Sequence, residues 1–131
     1  EKQVINKPDI LIVEGINVLQ VSLSKRPKRR VFVSDFFDFS IYVDAAEKDI
    51  RQWYIERFNT LQKTAFANPD SYFHRYAAMA NDELMQFANQ IWEEINAPNL
   101  VNNILPTRLR ADLILEKGEQ HFVRGVRIRK I

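Results

Sequence analysis

Two short apolar runs rich in β-branched residues, DILIV at 9–13 and FSIYV at 39–43, constrain this chain most, because the second leads through Asp44 straight into a helical pattern from about Ala45 to Phe66. The first run is introduced by Pro8 and closed by Glu14-Gly15, which reads as a buried strand. Strands of that kind belong to sheets covered on both faces, and a strand followed by a long helix is the unit of an α/β fold. Asn68-Pro69-Asp70 interrupts the helical pattern, and an aromatic segment, SYFHRYA, follows. A second helix is expected from near Asn81, whose side chain can accept from orphan backbone amides, with Asp82 and Glu83 suiting the positive end of the dipole. Leu84, Phe87, Ala88, Ile91, Trp92 and Ile95 recur there at helical spacing, and Pro98 is expected to stop the helix. Two more strands are expected, ADLIL at 111–115 and VRGVRIRKI at 123–131, the latter with Gly125 as a bulge. No internal repeat and no long polar linker divides the chain.

At 131 residues this is one modest domain with the composition of a globular protein. The absence of cysteine excludes a disulfide framework and a zinc-thiolate site, and is easiest to reconcile with a reducing cytoplasm. No apolar run approaches the roughly 18 residues of a membrane span, and EKQVINKPD places charges and a proline where a secretory signal needs apolar residues. A net charge of +2 is too small to point to a nucleic-acid partner. Nine of the 19 basic residues fall into two groups, Lys25, Arg26, Lys28, Arg29 and Arg30 around Pro27, and Arg124, Arg127, Arg129 and Lys130. Neither group alternates with aromatics as a single-strand binder would. The first reads as a solvated loop and the second as the charged outer face of an edge strand.

Several residues can carry chemistry, and each has a plainer reading beside it. Glu14, at the C-terminal end of an apolar strand, occupies the edge where open α/β sheets bind ligands, and a carboxylate there can hold magnesium beside phosphates. It can equally be a turn residue. Tyr54, Arg57 and Leu61 lie at i, i+3 and i+7 and project from one helix face. Arg51 has Glu47 one turn earlier as a partner, whereas Arg57 has no acid three or four residues away. Its guanidinium suits a phosphoryl oxygen, a distant carboxylate, or water. Tyr72, Phe73, His74 and Tyr76 put four rings within five positions, either as core plugs or as the lining of an apolar pocket. Asn96 can offer its amide to a polar substrate or terminate the second helix, and His121 is either a stacking platform or a strand residue near a turn.

The runs PDILIVEGINVLQ, VFVSDFFDFSIYVDA, WYIERF, NPDSYFHRYA, WEEIN and NILPTRLRADLIL closely resemble, in order, the C-terminal half of bacterial type I pantothenate kinases. PDSYFHRYA and NILPTR are the most specific of these, while the strand-Glu-Gly element and SDFFDFSIYVDA are also similar to uridine kinases and phosphoribulokinases. The resemblance implies part of a three-layer P-loop NTPase-like α/β fold, a mainly parallel sheet flanked by helices. It implies transfer of the γ-phosphate of ATP to the hydroxyl of pantothenate, the first step of coenzyme A synthesis, with coenzyme A as feedback inhibitor and a homodimeric enzyme. On that resemblance Glu14 corresponds to the magnesium-associated carboxylate and Arg57 to the arginine on the transferring phosphate. Tyr54 and Asn96 correspond to groups that hydrogen-bond pantothenate, Phe73 and Tyr76 to the aromatic wall around it, and His121 to a residue stacked near adenine. Leu61 stands where some members carry phenylalanine.

No G-x-x-x-x-G-K-[ST] loop occurs, and the three glycines, at 15, 118 and 125, leave none hidden. Without that loop the phosphates lose their backbone cradle and lysine. The family's catalytic aspartate is expected upstream of Glu1. Residues 1–131 are therefore expected to be the C-terminal part of a single kinase domain, inactive alone and completed by an N-terminal half. The competing expectations are a uridine kinase or phosphoribulokinase relative, and a module that binds coenzyme A or pantothenate without catalysis.

Overall fold

The computed structural model describes residues 4–21 and 31–130, so the basic group at 25–30 lies outside the described residues. Three strands, β1 (Ile41–Asp44), β2 (Leu113–Lys117) and β3 (Val123–Ile128), form one sheet in that order. β1 runs parallel to β2 with Ile41 opposite Leu113, and β3 returns antiparallel to β2. The α/β class stands, with a mixed sheet: the last strand folds back through a tight turn, where Gly118 N donates to Phe122 O at 2.9 Å. The register of β1 and β2 is set at their entry. Ser40 donates from its backbone N and its Oγ to the Asp112 carboxylate at 2.9 and 2.6 Å, and Leu113 N returns a bond to Ser40 O.

The two faces of the sheet differ sharply. Tyr42 faces a small core with Leu19 and Ala111, against which Val18, Phe37, Ile104 and Ile114 pack. Further along the same face, Arg108 lies 2.8 Å from Asp44 and 3.8 Å from Glu116, which Arg127 also meets at 2.6 Å. The opposite face carries Ile41, Val43, Leu113, Leu115, Val126 and Ile128, by the alternation of a strand and the observed register. β3 is an edge strand, as its charges suggest, and its pairing shifts between Glu116 and Lys117 beside Gly125, a bulge.

Helix α1 (Glu47–Lys63) follows β1 after two residues, with Glu47 and Asp49 in its first turn and Lys63 in its last, complementing the dipole. A 3-10 turn, Ala65–Ala67, and an Asx turn at Asn68, whose Oδ1 accepts from Asp70 N at 3.0 Å, end this segment as the Asn-Pro-Asp break suggests. Helix α2 (Asn81–Ile91) buries Leu84 and Ala88, and Trp92 continues the row at i+4.

Four expectations are corrected here. Residues 9–13 form no strand; they are exposed, with no described segment paired to their backbone, and a strand needs such a partner for its N–H and C=O groups. The N-cap of α2 is Ala80, not Asn81, and no side chain caps it. Pro98 does not stop the helix, which runs on through a π turn (Trp92–Asn96), one α turn (Ala97–Asn99), a second π turn (Leu100–Ile104) and a 3-10 stretch (Leu105–Arg110). The widened turn, in which Ala97 N bonds Trp92 O, relieves the clash a proline ring makes with the preceding turn of an α-helix. It also rotates Ile95 out of the stripe and into solvent. Finally, Arg51 ignores Glu47 and reaches across to Asn89 Oδ1 at 2.9 Å and Glu93 at 3.5 Å, tying α1 to α2. Among the described residues no helix is long and apolar enough to cross a membrane.

Candidate functional site

Along α1 the i, i+3, i+7 row of Tyr54, Arg57 and Leu61 spans about 10 Å at 1.5 Å per residue. This row forms one wall of a cleft of about 370 Å³, closed by Phe73 and Tyr76 from the aromatic segment and by Phe87 and Ile91 from α2. Five of the residues singled out from sequence, Tyr54, Arg57, Leu61, Phe73 and Tyr76, thus share one cavity. Phe58 and Phe66 complete its lining.

The cleft is held by ring contacts. Phe66, nearly fully buried, lies 5.6 Å from Phe58, 5.3 Å from Phe73 and 6.3 Å from Tyr76 between ring centroids. Tyr76 stacks on Phe87 at 4.9 Å. Offset and tilted pairs of this kind add to the burial of the rings themselves. Two polar clamps fix the aromatic segment on α1 and the 3-10 turn after it: Gln62 Nε2 donates to Met79 O at 2.9 Å, and His74 Nδ1 meets Phe66 O at 3.0 Å. Phe58, Phe66 and Gln62 were not singled out from sequence as site residues, and Phe87 entered only as part of the apolar stripe of the second helix. Phe58 follows Tyr54 by one turn and so was readable on the same stripe, whereas the hub at Phe66 and the Gln62 clamp depend on where residues 71–79 fold back.

One end of the cleft is polar. Burial raises the Tyr54 phenol above its ordinary pKa, so it stays a donor at neutral pH; Asn96 acts on it in the opposite sense, through an interaction short of a well-formed hydrogen bond. Asn96 does not line the cleft; the π turn sets it one turn beyond Trp92, itself 5.7 Å from the Tyr54 ring, so it stands behind the cleft beside Tyr54. Arg57 is exposed at the rim, and among the described residues it has no ion-pair partner. An apolar slot with a phenol and a free guanidinium among its lining suits a slender molecule with an apolar arm and a polar or anionic head.

His121 and Glu14 do not line this cleft. His121 sits in the turn between β2 and β3 with φ 65°, and its ring stacks on Trp53 at 4.3 Å. Trp53 also donates from Nε1 to Glu119 O at 3.0 Å and carries the Lys117 ammonium 4.6 Å from its ring centroid. Because successive helical residues are about 100° apart, the His121 cluster occupies the face of α1 next to the one bearing Tyr54. Glu14 is exposed, and with no strand at 9–13 it does not stand at a strand end. Among the described residues no group of three or more metal-binding side chains occurs.

No family model matches the chain. Individual proteins do. It is 60% identical over 129 residues to a pantothenate kinase of Halalkalibacterium halodurans, an alignment covering 98% of this chain and 41% of that protein. Corresponding matches are 59% over 128 residues to a pantothenate kinase of Shouchella clausii (98% and 40%) and 53% over 131 residues to that of Bacillus subtilis (98% and 41%). The chain spans about two fifths of the length of these relatives.

Proposed function

The chain belongs with the pantothenate kinases, as a part of about two fifths of their length, and from that premise we propose that it is the C-terminal part of such an enzyme and carries its acceptor side. The reaction is ATP-dependent phosphorylation of pantothenate to 4'-phosphopantothenate, in the cytoplasm, by an enzyme acting as a homodimer. The observation that carries this reading is the single cleft uniting Tyr54 and Arg57 with the aromatic wall of Phe73 and Tyr76. Pantothenate is a slender molecule with a carboxylate at one end and a primary hydroxyl at the other, and the cleft offers donors for its polar groups and rings for its methyl-bearing carbons.

In this reading Tyr54 donates from its phenol and Asn96 from its amide to pantothenate, which orients the hydroxyl toward Arg57. The hydroxyl oxygen attacks the γ-phosphorus of ATP, the bond to the β-phosphate oxygen breaks, and ADP leaves. Arg57 stabilises the charge on the transferring group. The hydroxyl proton goes to a carboxylate outside this chain. His121, stacked on Trp53 by one face, offers its exposed side to the adenine. Coenzyme A inhibits by laying its pantetheine arm along the same rings. Glu14 would hold magnesium only together with ligands from elsewhere, among them the phosphates of ATP.

The phosphate-binding loop is absent from residues 1–131, so the chain alone binds pantothenate or coenzyme A without phosphorylating it. Two measurements test this. Calorimetric titration of pantothenate into the chain should show binding that Tyr54→Phe weakens, and radiolabelled ATP should give no phosphopantothenate. Phosphorylation by the isolated chain, or pantothenate affinity indifferent to Tyr54 and Asn96, overturns the reading.

A further inference from the structure

The turn that carries His121 is held by one side chain of α1. Trp53 Nε1 donates to Glu119 O at 3.0 Å, and the His121 ring stacks on the indole with centroids 4.3 Å apart and planes 29° from parallel. The Lys117 ammonium lies over the same indole, 4.6 Å from the ring centroid. Three residues at the β2–β3 turn thus meet a single half-buried side chain.

His121 needs such a hold. Its φ of 65° falls in the left-handed region, which a residue with a side chain keeps only where its surroundings fix it. Two backbone bonds close the turn, Gly118 N to Phe122 O at 2.9 Å and His121 N to Gly118 O at 3.0 Å. They set the path of the chain, but neither reaches the imidazole, whose ring contact is Trp53. With one face on the indole and the residue exposed, the other face of His121 is open to a flat ring. Lys48 Nζ also meets Glu119 Oε1 at 3.0 Å, but these side chains are 73% and 75% exposed, and ion pairs of that kind contribute little.

We propose that Trp53 is a positioning residue for the nucleotide: it fixes the His121 imidazole as the platform on which the base of ATP stacks. The proposal rests on the reading of His121 as that platform. Trp53 acts through His121 and touches no substrate itself. Tyr54 follows it directly, about 100° round the same helix. One rigid element, α1, therefore sets both the base platform and the acceptor cleft.

Steady-state kinetics of a complete enzyme carrying this segment test the proposal, with ATP and pantothenate varied in turn. Trp53→Leu removes both the stack and the Nε1 donor; it should raise the KM for ATP about tenfold and that for pantothenate by less than about twofold. Trp53→Phe keeps a ring without the donor and should raise the KM for ATP about threefold. Lys48→Met should leave it within about twofold. His121→Ala should raise it about tenfold, and in that background Trp53→Leu should add nothing, because a residue that acts through another is silent once the other is gone. With isotope-labelled histidine, the ring-current shift of the His121 imidazole protons should disappear in Trp53→Leu. If His121→Ala raises the KM for ATP and Trp53→Leu does not, or if Trp53→Leu has the same effect with and without the histidine, this proposal is overturned and the platform stands. An equal rise in the KM for pantothenate marks damage to α1 as a whole and overturns it too. A His121→Ala enzyme with unchanged KM for ATP removes the platform itself, and the role of Trp53 with it.

Discussion

Phe66 is the hub of the cleft, and its replacement separates ring geometry from simple apolar filling. Phe66→Ala removes a buried side chain whose ring meets those of Phe58, Phe73 and Tyr76. Truncations of this kind cost about 3–5 kcal/mol; here the lower end, about 3 kcal/mol, applies because the void opens onto the existing cleft instead of closing as an empty cavity. Phe66→Leu retains most of the apolar area but loses ring–ring pairing, worth about 0.5–1.5 kcal/mol per pair. The closest pairs, at 5.3 and 5.6 Å, dominate, so the leucine variant should lose about 1–2 kcal/mol. Urea unfolding followed by Trp53 and Trp92 fluorescence gives both values, with slopes unchanged if only stability has moved. Pantothenate affinity should fall in the same order, alanine below leucine below phenylalanine. Equal costs for the two variants, or a cost under about 1 kcal/mol for alanine, would refute the account of the aromatic wall as a packed unit built on Phe66.

Three further outcomes are expected. Arg57→Gln should leave the stability of the chain within about 0.5 kcal/mol by urea unfolding, since the side chain is exposed, yet lower turnover of a complete enzyme carrying this segment by about 10²–10³-fold in a coupled ADP-release assay. Ser40→Ala should return the Asp112 carboxyl toward its ordinary pKa, because the Ser40 hydroxyl and backbone amide hold it below that value. The sign follows: a depressed folded-state pKa gives stability present above the unfolded carboxyl's pKa and lost as pH falls through the folded one. The variant should therefore lose less stability than the parent on acidification, and an NMR titration of Asp112 reads the pKa directly. Gly125→Ala places a methyl 2.7 Å from Glu116 Oε2, so the carboxylate must swing away from Arg127. A destabilisation of about 1 kcal/mol by urea unfolding should vanish in a Glu116→Ala background if that displacement is its cause.

How much of this was legible in the sequence depends on the range of the interactions involved. Helical spacing alone placed Tyr54, Arg57 and Leu61 on one face, and that face is a wall of the cleft. The clustering of Phe73 and Tyr76 left core and pocket as alternatives, and both hold: the rings pack on Phe66 and line the cavity. Pro98 misled because the penalty for proline inside a helix assumes α geometry, and two π turns bracket it. DILIV misled for a different reason. Its composition states what it would bury if paired, and strand formation needs a partner that composition cannot supply. His121 was uninformative alone because its contact, Trp53, lies 68 residues away in sequence and is brought near only by the β2–β3 turn.

The cleft and the sheet differ in how far along the chain they draw their contacts. Every residue lining the cleft falls between Tyr54 and Ile91, within two helices and the segment joining them, so its contacts are local and cheap in loop-closure entropy. The sheet instead joins β1 to β2 across 68 intervening residues and still leaves an edge and a face bare. The cleft and the sheet are thus separable in physical terms. The cleft is built wholly within residues 54–91, whereas the sheet draws on distant strands and keeps an apolar face exposed. A pocket of local contacts beside a sheet of distant strands should fold in two steps. The cleft should already be protected from hydrogen exchange before the strands are.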